Sequence, residues 1–369
     1  MPKNSVPKTA RDINLLMKNF LIFLFLVGII FWRYETSRPK FVDGQKIRIT
    51  ERVLSEPLLF ESSQRIVLSG IKVYLPKYPR INYGDTVVVE GLVTDGGLGS
   101  PKLVEIKKSD SILFKTRASV VSFYKRVLPI DDAALVAGMV LGSKEAVSST
   151  FWDQLKVTGT AHVVVASGMN VTLVAGFLVA VFLLFLPRGK AVFAAIAGIW
   201  LYSLFSGMDA PIVRAAIMGT IAFGAQALGR VYLAWRGLAL SAFLMLLVKP
   251  LWLVDLGFVL SVVATASLML FEAKVARFIQ FVPRLLREGL STSLAAQVGV
   301  APILFLTFGQ FNLLSPIINS LVLWAVPLIT IIGGIAGVLS VFSFGLAKAV
   351  LLLVLPLTTW FIWIVNIFG

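Results

Sequence analysis

Long apolar runs joined by short connections occupy most of the chain after residue 160. Hydrophobic residues make up 57% of the 369-residue sequence, and a helix of about 20 apolar residues crosses the hydrocarbon core of a bilayer. Short connections predict that neighbouring helices pack antiparallel. The sequence therefore predicts a polytopic α-helical membrane protein, with eight spans in this part of the chain. They are residues 161–186, 191–206, 211–228, 231–248, 251–271, 291–309, 316–341 and 345–367.

A further transmembrane helix is predicted in residues 1–34, giving about nine in all. Several basic residues precede an apolar run from Asn19 to Trp32. The run resembles a signal anchor, and no small-residue cleavage pattern precedes Arg33. We therefore predict a retained helix whose N-terminus lies in the cytoplasm, because basic flanks favour that side.

Residues 35–117 differ in kind, because short β-type runs alternate with turn residues. Five short strands in about 80 residues predict a small β-barrel, with an oligonucleotide-binding (OB) type as one option. A retained first helix places this domain outside the cytoplasm. Its acidic residues are almost as numerous as its basic ones, which favours a solvated surface over a phosphate-binding one. The predicted strands are Lys46–Val53, Gln64–Leu68, Ile71–Leu75, Thr86–Val93 and Leu103–Ile106.

Apolar and basic residues are mixed through residues 118–157, a pattern typical of amphipathic helices at a membrane interface. The net charge of the whole chain is +15. This excess fits positive-inside loops and anionic lipid, or an anionic polymer as cargo. When the spans are counted alternately, the basic connections 188–190 and 272–288 both fall in the cytoplasm and the C-terminus falls outside.

Polar side chains within or beside the spans are the candidate functional residues. Such groups are costly at membrane depth unless they face protein or water. We expect them to meet around a hydrated route, or else to serve structural roles. They are His162, Ser167, Asn170, Asp209, Arg214, Asp255, Ser261, Gln297, Asn312 and Asn319. Residues that permit close packing or helix breaks are Gly159, Gly168, Pro211, Gly257, Pro302 and Pro316.

Charged candidates have alternative interpretations. Pro211 fits the first turn of a helix, which puts Asp209 near its cap. Arg214 lies about one helical turn after Pro211. It belongs either to a structural ion pair or to a contact for a passing anion, and the second is plausible because a planar guanidinium group can bind two phosphate oxygens. Asp255 is a carboxylate within a predicted span. An ion pair with Arg214 or Lys249 is the simplest way for such a charge to be tolerated there.

Catalytic patterns are weak. No phosphate-binding loop of the Walker type is present, so no nucleotide motor is predicted. With a single His and no Cys, a zinc site is improbable, and no cofactor is predicted. His162 and Ser167 stand five residues apart, about 140° around a helix, so they form a dyad only if the segment is broken. We therefore predict that the protein is not an enzyme, with an intramembrane hydrolase as a minor alternative.

Several motifs, in order along nearly the whole chain, resemble those of the ComEC competence family, the DNA-uptake channels of bacterial inner membranes. The central motif is Gly159–His162 followed by Ser167–Asn170. The resemblance extends to Leu141–Lys144, to Pro211 with Arg214–Ala215, to Asp255-x-Gly257-Phe258-x-Leu260-Ser261, and to Gln297, Pro302, Phe311, Asn312 and Pro316. Residues 40–115 resemble the extracytoplasmic OB-like domain of that family. The resemblance therefore implies a competence-type channel domain over residues 158–369.

The resemblance implies a passage for one strand of DNA across the bacterial cytoplasmic membrane during natural transformation. It also implies single-stranded DNA and membrane lipids as partners, with a DNA receptor outside and a cytosolic ATPase inside; a homo-oligomer is a further possibility. Longer members carry a C-terminal metallo-β-lactamase-like domain thought to degrade the other strand. We expect that domain to be absent here, which leaves room for a separate nuclease. The main alternative is a secondary transporter of a small anionic solute, using a broken helix near Gly168.

Overall fold

A computed structural model of the protein describes residues 8–37, 44–60, 62–94, 97–145, 147–165, 167–309 and 312–369. The first seven residues and Phe311, which belonged to predicted features, lie outside these ranges. Within them a β domain follows a first helix, and a helical bundle follows the β domain.

The β domain contains six strands in two antiparallel sheets. Sheet order is β1-β5-β6 in one and β2-β3-β4 in the other. The five predicted strands are confirmed, because each one overlaps an observed strand. The predicted closed barrel is not confirmed, because the described strands pair into two separate sheets. The strands are β1 (Lys46–Arg52), β2 (Leu58–Leu59), β3 (Ser63–Leu68), β4 (Ile71–Pro76), β5 (Thr86–Thr94) and β6 (Gly97–Lys107).

Alternation along the strands explains how this small domain forms a core. In β4, Ile71, Val73 and Leu75 are buried while Lys72 and Tyr74 are exposed. A strand places successive side chains on opposite faces, so alternating apolar residues line one side. The buried faces of both sheets share one apolar core.

Four helices surround the transition from the β domain to the bundle. They are α1 (Lys8–Ser37), α2 (Ile112–Val127), α3 (Ile130–Leu141) and α4 (Ser149–Val157). In α3 every residue from Asp132 to Leu141 is buried, and it packs against α2, α13 and α15. A helix that is apolar around its whole circumference is stable only inside a protein. The short α3 is therefore a central element of the bundle.

The remaining helices form the bundle. They are α5 (Ala161–Val164), α6 (Gly168–Phe185), α7 (Arg188–Phe205), α8 (Ala210–Ala227), α9 (Ala234–Val248), the 3₁₀ segment η1 (Pro250–Val254), α10 (Leu256–Phe278), α11 (Arg284–Phe308), α12 (Ser315–Val322), α13 (Ala325–Leu339), α14 (Phe344–Leu352) and α15 (Leu355–Phe368). Consecutive long helices pack side by side, notably α6 with α7 and α10 with α11.

Four described segments are long and apolar enough to cross a membrane, or six if two bent helix pairs each count as one span. The four are Ala161–Phe185, Ala210–Ala227, Leu256–Phe278 and Leu286–Thr307. The predicted total of about nine is thus not confirmed. Helix α9 has only 15 residues, and α7 begins with Arg188 and Lys190 at its first turn, which lowers its apolar character. The protein is helical and fits a membrane setting.

Two predicted spans are not straight helices. Residues 316–341 form α12 and α13, and residues 345–367 form α14 and α15, each pair bent by 45°. Proline explains both bends, because it lacks an N–H and is tolerated only in the first turn of a helix. Pro327 and Pro356 lie in the first turns of α13 and α15. Pro316 lies in the first turn of α12, while Pro302 lies inside α11.

Two other predicted boundaries were wrong. The span predicted at 251–271 begins with the 3₁₀ segment η1, and α10 then continues to Phe278. The predicted connection 272–288 is mostly helical, since only residues 279–283 separate α10 from α11. Charged residues are good helix formers in water, so the end of an apolar run did not mark the end of the helix.

Two glycines of α13 form a small-residue face against α2 and α3. A Cβ at Gly333 would lie 2.8 Å from Val136 of α3, and one at Gly337 would lie 2.5 Å from the Tyr124 hydroxyl of α2. That hydroxyl donates to the Gly333 carbonyl at 2.8 Å. Glycine therefore lets α13 approach the buried α3 closely.

Candidate functional site

Three of the predicted residues, each from a different motif, meet inside the bundle around Arg214 of α8. Its Nε donates to Ser261 Oγ of α10 at 2.7 Å, and its Nη1 lies 3.5 Å from Met218 Sδ. A Cβ at Gly168, the first residue of α6, would lie 3.1 Å from Arg214 Nη2. Glycine at position 168 thus allows the start of α6 to lie against the guanidinium. We call Gly168, Arg214 and Ser261 the arginine cluster.

The charge of Arg214 is not neutralised by a neighbouring carboxylate. The side chain is half-buried, and no Asp or Glu of the described ranges forms an ion pair with it. A guanidinium carries five N–H donors and keeps its proton in proteins, so donors remain after the bond to Ser261. The arginine cluster can therefore offer a planar fork to a phosphate or carboxylate.

The helix before the arginine cluster is interrupted. Helix α5 ends at Val164, Val165 and Ser167 have extended backbone, and α6 begins at Gly168. The span predicted over 161–186 therefore contains a break next to Gly168, where a broken helix was considered from the sequence. Extended residues within a span leave backbone groups without helical partners, which is tolerated only inside protein or beside a wet cavity.

The break does not create a serine–histidine pair. His162 Nδ1 lies 2.9 Å from the Gly159 carbonyl oxygen. In the described part of the chain no hydrogen bond joins the His162 ring to the Ser167 hydroxyl. The arrangement therefore supplies no activated serine, because a nucleophile of this type requires a base within hydrogen-bond reach.

Asn170 ties α6 to the buried α3. Its Nδ2 donates to the Met139 carbonyl at 2.8 Å, although Met139 stands 31 residues earlier. The side chain is fully buried and its Oδ1 has no hydrogen-bond partner among the described residues. This amide stabilises the contact between the two helices.

A second group of predicted residues packs α12 and the segment before it against the α4–α5 turn and against α11. Asn312 Nδ2 donates to the Val157 carbonyl at 2.6 Å, and Asn319 Nδ2 donates to Ser293 Oγ at 3.0 Å. Gly159 has φ +73°, and a Cβ there would overlap the side chain of Ser315. These residues form a packing site that is separate from the arginine cluster.

The predicted acidic residues lie at helix starts. Asp255 is exposed and accepts from the Phe258 N–H at 2.9 Å, so its expected pairing with Arg214 or Lys249 is wrong. Capping satisfies that carboxylate without a cation. Asp209 precedes α8 at the cap position, and its Oδ2 pairs with Lys144 Nζ at 3.8 Å.

The other predicted residues have simpler placements. Gln297 is half-buried within α11. Gly257 leaves room for the capping carboxylate, since a Cβ there would lie 3.0 Å from Asp255 Oδ1. Pro211 lies in the first turn of α8, as predicted.

Sequence reasoning missed a buried ion pair between the β domain and the bundle. Arg117 Nη2 of α2 lies 2.7 Å from Glu56 Oε2, and both side chains are under one-tenth exposed. Arg117 Nε also donates to the Phe205 carbonyl at 2.8 Å. Ser143 Oγ donates to the second carboxylate oxygen at 3.0 Å, and the guanidinium lies 4.7 Å from the Tyr83 ring centre. We call Glu56, Arg117 and Ser143 the junction.

Burial raises the pKa of the Glu56 carboxyl, while Arg117 and the Ser143 hydroxyl oppose this by stabilising the charged form. Only Ser143 carried a signal in the sequence, because it belongs to the motif Leu141–Lys144. Glu56 and Arg117 lie in a turn and an amphipathic stretch, where single charges are ordinary.

Beside the junction lies a cleft of about 150 Å³ between the β domain, α2 and the loop after α3. Glu145 of that loop spans its rim. Its Oε1 lies 3.1 Å from Arg80 Nη1 of the β domain and 3.0 Å from Lys125 Nζ of α2. Tyr83 and Phe114 line the wall, with their rings 5.2 Å apart.

Together, the fold and the arginine cluster define a helical membrane protein that carries a β domain and, inside its bundle, an arginine with no carboxylate partner among the described residues. Residues 139–369 match the family model described as "Competence protein", and the chain belongs to that family. The predicted ComEC resemblance is confirmed at this level.

A curated relative agrees with this assignment. ComE operon protein 3 of Bacillus subtilis (strain 168) is 30% identical over 225 residues, which cover 60% of this chain and 28% of that protein. The chain therefore matches less than a third of that relative's length. No solved structure matches the chain.

Proposed function

We propose that the protein forms the membrane passage through which single-stranded DNA enters the cytoplasm during natural transformation. Membership of the competence family supports this proposal. The single structural observation that carries it is the arginine cluster, where Arg214 stands beside an interrupted helix with no described carboxylate partner. A strand of phosphates crossing about 30 Å of hydrocarbon needs a protein-lined, hydrated route with cationic contacts.

The role of Arg214 follows from its chemistry. Its guanidinium group can donate hydrogen bonds to two phosphate oxygens in one plane, and Ser261 orients it by accepting the bond from Nε. A half-buried guanidinium attracts an anion more strongly than one in water, since the effective dielectric is lower. Binding must stay weak enough for the strand to move on, which a single cation at this point satisfies.

The orientation belongs to the same proposal. We infer that the N-terminus lies in the cytoplasm, and that the β domain and the C-terminus lie outside. The β domain over residues 35–117 then receives the incoming strand, and residues 158–369 carry it. A DNA receptor outside, an ATPase inside and a separate nuclease are the partners that such a passage requires.

Deletion of the gene in a transformable host tests the proposal directly. Fluorescently labelled double-stranded DNA should reach the surface of the deletion strain, but no label should enter its cytosol. Re-expression of the chain should restore entry. Unchanged entry without the gene would contradict the passage.

The interrupted helix also favours a second candidate, a secondary transporter of a small anionic solute. Broken helices form the central binding sites of such transporters. Proteoliposomes separate the two candidates. Movement of a small anion under an ion gradient, with no binding of an oligonucleotide, would support the transporter and contradict the DNA passage.

A further inference from the structure

The cleft beside the junction has the chemistry of an anion site that is already occupied by a side chain of the protein. Glu145 Oε1 accepts from both Arg80 Nη1 and Lys125 Nζ, at 3.1 and 3.0 Å. These two cations belong to different parts of the fold, and among the described residues the Glu145 carboxylate is the group that bridges them. Glu145 is 34% exposed, so an incoming anion can reach the same position.

The walls of the cleft suit a nucleotide. Phe114 is half-buried and presents an aromatic surface beside the cations, with Arg52 5.9 Å from its ring centre. Tyr83 is buried, with Arg117 4.7 Å from its ring centre. Stacking on aromatic rings holds bases without regard to sequence, and cations follow the phosphates. The cleft volume of about 150 Å³ accommodates part of a nucleotide.

Position links the cleft to the proposed route. The loop that carries Glu145 also carries Lys144, whose Nζ pairs with Asp209 at the start of α8. Arg214 lies one turn further along α8. A strand held at the cleft would therefore lie between the β domain and the helix that bears the arginine cluster.

We propose that Arg80 and Lys125 form an entry subsite for the phosphates of single-stranded DNA, and that Glu145 is a displaceable occupant of this subsite. The carboxylate holds the two cations together when no strand is present. An incoming backbone phosphate competes for the same donors, because its two unesterified oxygens and single negative charge match those of the carboxylate. The inference rests on the proposed passage for single-stranded DNA and names its first contact.

Binding of a fluorescein-labelled oligothymidylate to the full chain in nanodiscs tests this subsite. Glu145→Gln should tighten binding about three- to tenfold, because two exposed ion pairs of modest strength no longer compete. Arg80→Ala combined with Lys125→Ala should weaken binding. It should also reduce the slope of log affinity against log salt concentration by about 1.4, since each phosphate contact on a single strand contributes about 0.7 to that slope.

Two controls separate the subsite from general electrostatics. Asp153→Asn removes the same charge from an exposed pair with Lys156 at 2.7 Å on α4, and it should leave affinity unchanged. Glu145→Gln should have no effect when Arg80 and Lys125 are already alanine. Equal tightening by Glu145→Gln and Asp153→Asn would overturn the proposal.

Other outcomes distinguish lipid binding and failure of the larger proposal. If anionic-lipid vesicles compete away every effect of Glu145→Gln, the subsite binds lipid headgroups and the inference is wrong. If the Arg80 and Lys125 variants bind DNA and support its uptake normally while the deletion strain takes up none, the proposed subsite is wrong and the proposed passage is supported. If the deletion strain takes up DNA normally, the proposed passage is wrong as well.

Discussion

Arg214 and Ser261 are joined by a 2.7 Å hydrogen bond although they stand 47 residues apart. The bond links α8 to α10. The first residue of α6 lies beside it, because Gly168 has no side chain and leaves room for the guanidinium. A hydroxyl group orients the fork without neutralising its charge. The pair therefore has the properties of an anion contact, and its charge and its geometry are separately testable.

Arg214→Gln should reduce entry of labelled DNA into the cytosol about tenfold or more, because a charged hydrogen bond contributes roughly 1.5–3 kcal/mol. Arg214→Lys should retain part of the activity, since the charge stays but the planar fork is lost. Arg230→Gln is the matched control, because it removes an exposed positive charge just after α8. Membrane abundance of each variant must equal that of the parent, and normal entry with Arg214→Gln would contradict the role.

Asn170→Ala should lower the stability of the bundle by about 1–3 kcal/mol, because the buried Met139 carbonyl loses its donor. The apparent Tm in detergent measures this change. Thr172→Val, two residues along the same helix, removes an exposed hydroxyl that bonds only within α6, and should shift the Tm little. Equal shifts from the two variants would show that Asn170 does not hold α6 to α3.

Gly159→Ala should destabilise the protein more than Gly309→Ala. Both positions have positive φ, +73° and +66°, so both changes carry a backbone strain of about 1–2 kcal/mol. Only at Gly159 would the new methyl overlap Ser315, and overpacking adds about 1–3 kcal/mol. In detergent, the apparent Tm of Gly159→Ala should therefore be lower than that of Gly309→Ala. Equal apparent Tm values would argue against close packing of the α4–α5 turn on α12.

Breaking the junction should be strongly destabilising. Arg117→Gln or Glu56→Gln alone leaves a buried group without its partner, which costs about 3–5 kcal/mol. The double variant should recover part of that loss, and a double-mutant cycle on the apparent Tm measures the coupling. The exposed pair of Lys115 with Asp110, at 3.0 Å, should show no coupling in the same experiment. Additive effects at Glu56 and Arg117 would contradict the junction.

Local patterns in the sequence determined much of the architecture. Short β-type runs separated by turn residues predicted the strands of the β domain. The structure shows that the side chains of residues 71, 73 and 75 share one buried face of β4. Apolar run length indicated a membrane protein, and the ordered motifs indicated its family. The same patterns failed at Pro327 and Pro356, where apolar runs continue across a bend, because run length carries no information on helix direction.

Only the tertiary structure decided which polar residues meet. Gly168, Arg214 and Ser261 come together because α8 packs against both α6 and α10. Asn312 and Asn319 lie at other contacts, and Asp255 caps its own helix. Glu56 and Arg117 are 61 residues apart and carry no local signal. Hydrophobic pattern is a property of neighbours in the chain, whereas ion pairs and close contacts depend on how separate helices cross.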